Sequence, residues 1–512
     1  PDAVLGFGVL SPMSLKTWIG ARWARMRARN IQRQGEHAED ARAYLFEKLL
    51  WKGRRTAFGR EHHLDEVSTI SEFRHAVPVR EYEELRPWFE RVVEGEKDVL
   101  WPGHPLYLAK TSGTTSGAKY IPLTRHQMQC QVRGARDALL LYINARNNPA
   151  FLDGKMLFLS GSPEVRNNEA GIPVGRLSGI ANHFVPAYLQ RNRLPSYQTN
   201  CLEDWDKKLD HIIQESRNED LRLISGIPPW VQMFFERVEE TTGQAPKNLW
   251  PNLQVFVEGG VDYAPYAPVF EKALGGKVDV WEVYPASEGF IAVQDSLTEP
   301  GMRLMLDYGV WHEFIPLEEY GKPDARRLGL SEVQTGQHYA LVLNTTAGLW
   351  GYSIGDTVKF ESLNPYRLKV TGRVKHFLSA FGEHVIAEEV EAAMMAAVKA
   401  TGALVAEFTV APNIQDVDSH HEWLVECERQ PDDPARFAQV LDETLQAKNV
   451  YYQDLRDGNM LTAPRVTYLQ TGASRAFMKS EGRLGGQNKF PRLSNDRRVA
   501  DQLHAYRLEH TS

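Results

Sequence analysis

The chain has 512 residues, 42% hydrophobic and 24% charged, proportions that exclude disordered and fibrous classes. Lys+Arg minus Asp+Glu is 59 − 66 = −7, with no long basic run, so a nucleic-acid partner is not expected. The three cysteines, Cys130, Cys201 and Cys427, are far apart and form no CxxC pair, which points to free thiols in a reducing cytoplasm rather than to disulfides or zinc.

This length exceeds what one hydrophobic core serves, so two or three domains are expected. Pro1–Met13 is mildly apolar but lacks a basic leader and an A-x-A-like cleavage site, and is not read as a signal peptide. Leu15–Arg33 mixes Trp18, Trp23 and Met26 with Lys16, Arg22, Arg25, Arg27 and Arg29. We read it as a helix packed on the main domain; a basic amphipathic helix resting on a membrane is the alternative. No apolar run reaches the roughly 18 residues that span a bilayer, so stable membrane insertion is not expected. Ala38–Lys52 and Ser71–Gly95 have helical spacing, with Pro78 and Pro87 as breaks.

From Leu106 the pattern alternates. Lys155–Ser160, Leu221–Ser225, Leu253–Val257 and Val278–Val283 predict buried strands. His126–Asn144, Leu202–Glu215, Trp230–Thr241 and Tyr263–Leu274 predict helices between or beside them. The alternation predicts an α/β fold with a sheet covered on both faces. Trp311–Ile315, Tyr339–Asn344 and Thr357–Glu361 read as further strands. A boundary near Gly372 divides the chain into residues 1–371 and 372–512. The second part has its own helices (Ala387–Ala400, Pro434–Lys448) and strands (Leu404–Thr409, Trp423–Glu428), enough for a small α+β domain.

Three segments carry chemistry. Between Ser112 and Gly117 stand four hydroxyl residues and two glycines (Ser112, Gly113, Thr114, Thr115, Ser116, Gly117), with Lys119 two residues beyond. Glycines let backbone N–H groups face a phosphate, hydroxyls add donors, and lysine adds a mobile charge. The Walker A spacing is absent, and Tyr120–Leu123 reads as a returning strand. Val283-Tyr284-Pro-Ala286-Ser287-Glu288-Gly289 follows a buried strand, at the edge where open α/β sheets bind ligands. There Tyr284 could stack on a base, and Glu288 could hold a Mg²⁺ that bridges phosphates. In Gly348–Phe360, Asp356 follows a glycine at the start of a strand, where a carboxylate suits a ribose diol.

In this order and spacing the three segments resemble the adenylate-forming enzymes, and more closely the GH3 acyl-acid amido synthetases. Trp311–Pro316, ending in Phe-Ile-Pro, Gly372-Arg373 with Phe377–His384, and Gln487-Asn-Lys489-Phe-Pro-Arg492 extend the likeness over Trp88 to Leu493. The resemblance implies a large N-terminal ATP- and acyl-acid-binding domain and a smaller, mobile C-terminal one hinged at Gly372-Arg373. Ser112 to Gly117 and Lys119 would grip the ATP phosphates. Tyr284, Ala286 and Ser287 would contact the adenylate, Glu288 would bind Mg²⁺, and Asp356 and Arg373 the ribose. Glu258, Gly259 and Gly260 would line the junction of the adenine and acyl pockets, and Lys489 would reach the α-phosphate. Lys489, Glu288 and Lys119 are thus the expected catalytic residues, ATP and Mg²⁺ the cofactors. The substrates would be a carboxylic acid and an amine, an amino acid by resemblance. The chain departs from the plant pattern at Gly351, Ser353 and His384, and its phosphate loop is about one residue shorter.

A thioester-forming ligase and an inactive nucleotide-binding relative are the alternative readings. For the base that deprotonates the amine, His183, His312 and His338 are candidates, with Asp307, Glu313 and Glu332. Arg133 and Arg136 could pair with a second acidic group on the substrate, and Tyr142, Phe158, Phe184 and Trp230 could suit an aryl acid.

Overall fold

A computed structural model describes residues 14–508, apart from 112–118, 185–189, 203, 261–262, 264–266, 375–376, 379–384, 415–417, 458–460, 485–488 and 495. The N-terminal helix Leu15–Glu36 starts at Ser14, whose hydroxyl accepts the N–H of Thr17. It packs on the helix Arg125–Arg146: Ala24 and Ile31 are buried, and Arg27 meets the buried Asp137 at 2.7 Å. Trp18, Ile19 and Met26 stay exposed on its other face. Among the described residues no helix is long and apolar enough to cross a membrane.

Pro78 falls between the helices Ile70–Ala76 and Tyr82–Val93, as expected, but Pro87 lies inside the second. Burial of Tyr82, Leu85, Phe89 and Val92 outweighs the one backbone hydrogen bond a proline removes.

Among the described residues, eleven strands form one sheet. Lys155–Phe158, Leu221–Gly226, Val255–Glu258 and Asp279–Ala286 run parallel. Asp279–Ala286 then pairs antiparallel with Gly289–Val293, and the sheet continues through Met302–Leu304, Tyr366–Arg373, Tyr352–Leu363 and His338–Thr345 to Val310–Pro316. In the parallel half side chains alternate between two cores. Met156, Leu223, Val257 and Trp281 join the helix Arg125–Arg146; Leu157, Ile224 and Phe256 join Trp205–Ser216, Pro228–Thr242 and Ala267–Leu274. Helices on both faces are what the near-continuous apolar strands predicted.

Residues 385–493 have their own core. The strands Leu404–Asn413, His420–Arg429 and Arg465–Leu469 pack with the helices Ala387–Thr401 and Pro434–Lys448 around Val390, Phe408, Trp423 and Leu441.

The strand Val310–Pro316 is buried at every position, including His312 and Glu313. Glu313 is satisfied by Arg327, by Arg74 at 2.9 Å and by Asn344 at 3.0 Å. His312 has no such compensation. Burial, with Arg42 adding to it, pulls its pKa down to about 3 from 6.5. An unfolded chain therefore binds this proton more tightly than the fold, so stability contributed by neutral His312 is present above pH 6.5 and lost as pH falls toward 3. At pH 5.5 the loss is about 1.4 kcal/mol, one pK unit. His312→Gln should lower the melting temperature at pH 7 yet flatten its decline between pH 6.5 and 5.5; an unchanged slope would contradict this assignment.

Candidate active site

The acidic motif is a tight hairpin turn. Ala286 pairs with Gly289, leaving Ser287 and Glu288 as the connection. A Cβ on Gly289 would lie 2.3 Å from Val310 Cγ2, so only glycine lets the turn close on its neighbour. Two residues one helical turn apart brace it: Gln131 donates to the carbonyl of Ala286 at 2.7 Å and Gln127 to that of Glu288 at 3.3 Å. The Glu288 carboxylate is buried and accepts the Tyr352 hydroxyl at 3.2 Å. Burial, then Asp356, raise its pKa, and Lys119 opposes them.

Lys119 opens the strand Lys119–Leu123, which pairs antiparallel with Tyr107–Thr111 in the register Thr111 to Lys119. The returning strand is therefore as expected. Ser112, Gly113, Thr114, Thr115, Ser116 and Gly117 lie outside the described residues. The Lys119 ammonium sits 5.3 Å from the centre of the Tyr82 ring. Burial lowers its pKa, with Glu288 opposing and Arg373 adding.

Asp356 stands in the middle of the strand Tyr352–Leu363, not at its start as the sequence suggested, because the ladder already forms at Tyr352. Its cross-strand partner is Arg373, whose Nε lies 3.2 Å from Oδ1. The Tyr284 hydroxyl donates to Oδ2. Burial and then Asp356 hold that phenol well above its ordinary pKa, so it remains a donor. Tyr284 is 7% exposed, so it props the carboxylate and leaves little ring for a base to stack on.

Lys489 completes the cluster. Its ammonium donates to the carbonyl of Gly260. Though much of the residue is exposed, that end is enclosed. The enclosure lowers its pKa, Asp356 and Glu258 oppose it, and Arg373 adds to it. Gly260 has φ +94°, and a Cβ there would come within 3.3 Å of Lys489 Nζ. A Cβ on Gly259 would lie 2.3 Å from the carbonyl oxygen of Val283. The backbone at Gly259, just past the strand Val255–Glu258, thus lies against that of Val283 on the neighbouring strand.

Thus Lys119, Glu288, Tyr284, Asp356, Arg373, Gly260 and Lys489 come together from distant segments. Two tyrosines were missed. Tyr352, under Glu288, stood inside the third motif; Tyr82, under Lys119, carried no signal. Several expected roles are not met. Arg133 pairs with Asp307 at 3.3 Å and Arg136 with Asp137 at 2.9 Å, so neither is left for a substrate. Tyr142 and Trp230 are core residues, Tyr142 bonded to Asp279 at 2.8 Å and Trp230 against Trp205. Phe158 is half-buried under Arg193, and Phe184 packs on Tyr107. Among the candidate bases, His312 and Glu313 are sealed in the sheet, and Glu332 accepts the N–H of Gly329 at 2.7 Å. His183 donates to the carbonyl of Pro163, and His338 lies between Thr371 and Glu388.

A sheet edge that gathers Lys119 from a strand pair, a buried acidic turn and a lysine from the C-terminal segment fits the adenylate-forming class. The overall fold agrees. It superposes on a solved GH3.15 acyl acid amido synthetase with a TM-score of 0.78 over 98% of each chain, at 16% identity. A 2-hydroxyisobutyryl-CoA ligase in the postadenylation state gives 0.58 over 92% of each chain, at 13% identity. Family models described as the GH3 N-terminal, central and C-terminal domains match residues 27–185, 303–373 and 388–498. Among curated relatives, the indole-3-acetic acid-amido synthetase GH3.4 of Arabidopsis thaliana is 20% identical across 96% of this chain and 94% of its own. GH3.8 of Oryza sativa subsp. indica is 23% identical across 73% of each. The chain belongs to the GH3 family.

Because Gly259 abuts the Val283 carbonyl, Gly259→Ala should destabilise the large domain by about 1–3 kcal/mol through overpacking. The midpoint of urea unfolding followed by tryptophan fluorescence tests this; no shift would mean that the two strand ends are not in contact in solution.

Proposed function

We propose that the protein adenylates a carboxylic acid with ATP and passes the acyl group to an amine, an amino acid being the acceptor that its relatives' names suggest. The observation that carries this is Lys489, delivered by the C-terminal segment to the Gly260 carbonyl within the field of Asp356 and Arg373. A carboxylate is a poor acyl donor because oxide would have to leave. Its oxygen instead attacks the α-phosphorus of ATP, the bond to pyrophosphate breaks, and an acyl adenylate forms. Lys489 would stabilise the charge that builds on the equatorial oxygens. The neutral amine then attacks the acyl carbonyl, and AMP leaves as a good leaving group.

Lys119 and the Ser112–Gly117 loop would hold the outer phosphates, and Ala286 and Ser287 would touch the adenylate. Asp356, already clamped by Tyr284 and Arg373, retains acceptor capacity on both oxygens for a ribose diol. Glu288 fits a divalent ion: it is a buried carboxylate that burial drives toward protonation, with Lys119 as the cation that opposes this. Mg²⁺ held there would neutralise phosphate charge.

The division into residues 1–371 and 372–512 belongs to the same reading. Gly372 has φ +144°, and a Cβ there would lie 3.2 Å from Ala387 Cβ at the entry to the C-terminal unit. Beyond it, ion pairs join the two parts among the described residues: Lys359 with Glu388 at 2.6 Å, Lys272 with Glu428 and Arg475 with Asp206. Such contacts separate at little cost. A hinge at Gly372-Arg373 would then close Lys489 onto the α-phosphate and later withdraw it to admit the amine. Equal domain angles in crystals with ATP and with an acyl-adenylate analogue would count against that motion.

Acid-dependent exchange of pyrophosphate into ATP is expected with aryl, indolyl or aliphatic acids, and Lys489→Ala should cut it about 100- to 1,000-fold. Glu288→Gln should raise the Mg²⁺ concentration needed for half-maximal exchange. Amino acids, other amines or coenzyme A added to active mixtures then separate amide from thioester formation. Tight ATP binding with no exchange for any acid would overturn the adenylation reading.

A further inference from the structure

The carboxyl ends of the parallel strands lie level with one another. Phe158 pairs with Ser225 and Gly226 with Glu258, and the N–H of Leu159 donates to the Ser225 carbonyl at 2.8 Å. Ser160 therefore shares an edge with Glu258–Gly260 and Lys489, two strands away. At about 4.8 Å per strand the separation is roughly 10 Å.

Three cations stand over residues at the carboxyl end of the strand Lys155–Phe158: Arg193 at Phe158, Lys208 at Ser160 and Arg176 at Gly161. Lys208 is buried and donates to the carbonyls of Ser160 at 2.9 Å and Asn200 at 2.8 Å. The Arg176 side chain crosses Gly161, its Cδ 2.9 Å from where a Cβ would stand. Arg193 lies 5.0 Å over the Phe158 ring and donates to the side-chain carbonyl of Asn182. Among the described residues none of the three has a carboxylate partner, and Arg176 has no hydrogen-bond partner at all. Arg27, Arg303, Arg327 and Arg492, elsewhere in the interior, each meet an acid. Burial lowers the pKa of all three cations, and that of Lys208 falls to about 8 with Arg176 adding. Lys208 is buried and the two arginines are partly buried, and cations crowded at a partly desolvated edge without an anion are destabilising unless a ligand supplies one.

Building on the adenylation reading above, we propose that Arg176, Arg193 and Lys208 form a carboxylate-binding subsite. The acid this enzyme activates then carries a second acidic group roughly 10 Å from the carboxylate that is adenylated. The α-carboxylate of an amino-acid acceptor sits within a few bonds of the attacking nitrogen, closer than this spacing, which favours the acid as the ligand. Guanidinium groups suit the second carboxylate because they bind it through two parallel N–H donors.

The test is pyrophosphate exchange by the full chain with α,ω-dicarboxylic acids and monocarboxylic acids of matched length. Wild type should prefer the dicarboxylic acid by about 10- to 100-fold in kcat/KM, mainly through KM. Arg176→Gln and Arg193→Gln should bring that ratio toward unity, and Arg176→Lys should recover part of it. Circular dichroism establishes that each variant is folded, and either variant alone suffices. Equal use of both acids by wild type, or an unchanged ratio in both Gln variants, would overturn the subsite and leave adenylation standing. A raised KM for the amino acid with the acid ratio unchanged would also overturn it, by assigning the cations to the acceptor. If no acid supports exchange, calorimetry decides: dicarboxylate binding lost in Arg176→Gln supports the subsite while adenylation fails, and no dicarboxylate binding removes both.

Discussion

The site depends on one carboxylate held from two sides. Asp356 receives the Tyr284 hydroxyl and the Arg373 guanidinium. Arg373 is its neighbour on the adjacent strand, but Tyr284 is four strands away in the sheet order. In a flat sheet four steps would be about 19 Å, far beyond a hydrogen bond. The sheet must therefore curl until its parallel and antiparallel halves face each other, and the Tyr352 hydroxyl on Glu288 makes a second contact of the same kind. Burial strengthens both, since the phenols are held as donors and the carboxylates have few competing water molecules.

Buried polar contacts behind this closure keep it in register. Gln127 and Gln131 fix the two carbonyls that bracket the acidic turn. Asn344 donates to Glu313 and accepts the N–H of Gly351 at 2.7 Å, so the Glu313 network reaches the turn that precedes Tyr352. On the C-terminal side, Arg492 lies 4.3 Å over Phe408 and pairs with Glu407, while Val410 donates to its carbonyl at 3.0 Å. The segment is thus anchored three residues beyond Lys489, and the lysine's reach is set by a short tether to a packed strand.

Charge is distributed unevenly along the sheet edge. Around Asp356 the cations are answered by Asp356, Glu288 and Glu258, whereas at Ser160, among the described residues, they are not. A site complete in itself beside a site lacking an anion is the electrostatic contrast from which the second carboxylate was inferred.

Much was legible in the sequence because it is written in local patterns. Apolar runs located four of the parallel strands and the helices between them to within a few residues, and the acidic and Gly-Asp segments supplied Glu288, Tyr284 and Asp356 to the cluster described here. The tail lysine Lys489 was likewise legible as a motif. Local patterns were silent wherever partners are distant. They could not place Asp356 within its strand, find Tyr82 and Tyr352 beneath the two charges, or tell that Arg133 and Arg136 were already paired while Arg176 was not. Propensity and periodicity fix which residues share a helix or strand face. Only the closing of the curled sheet decides which charges meet, because a side chain's field depends on neighbours dozens to hundreds of residues away.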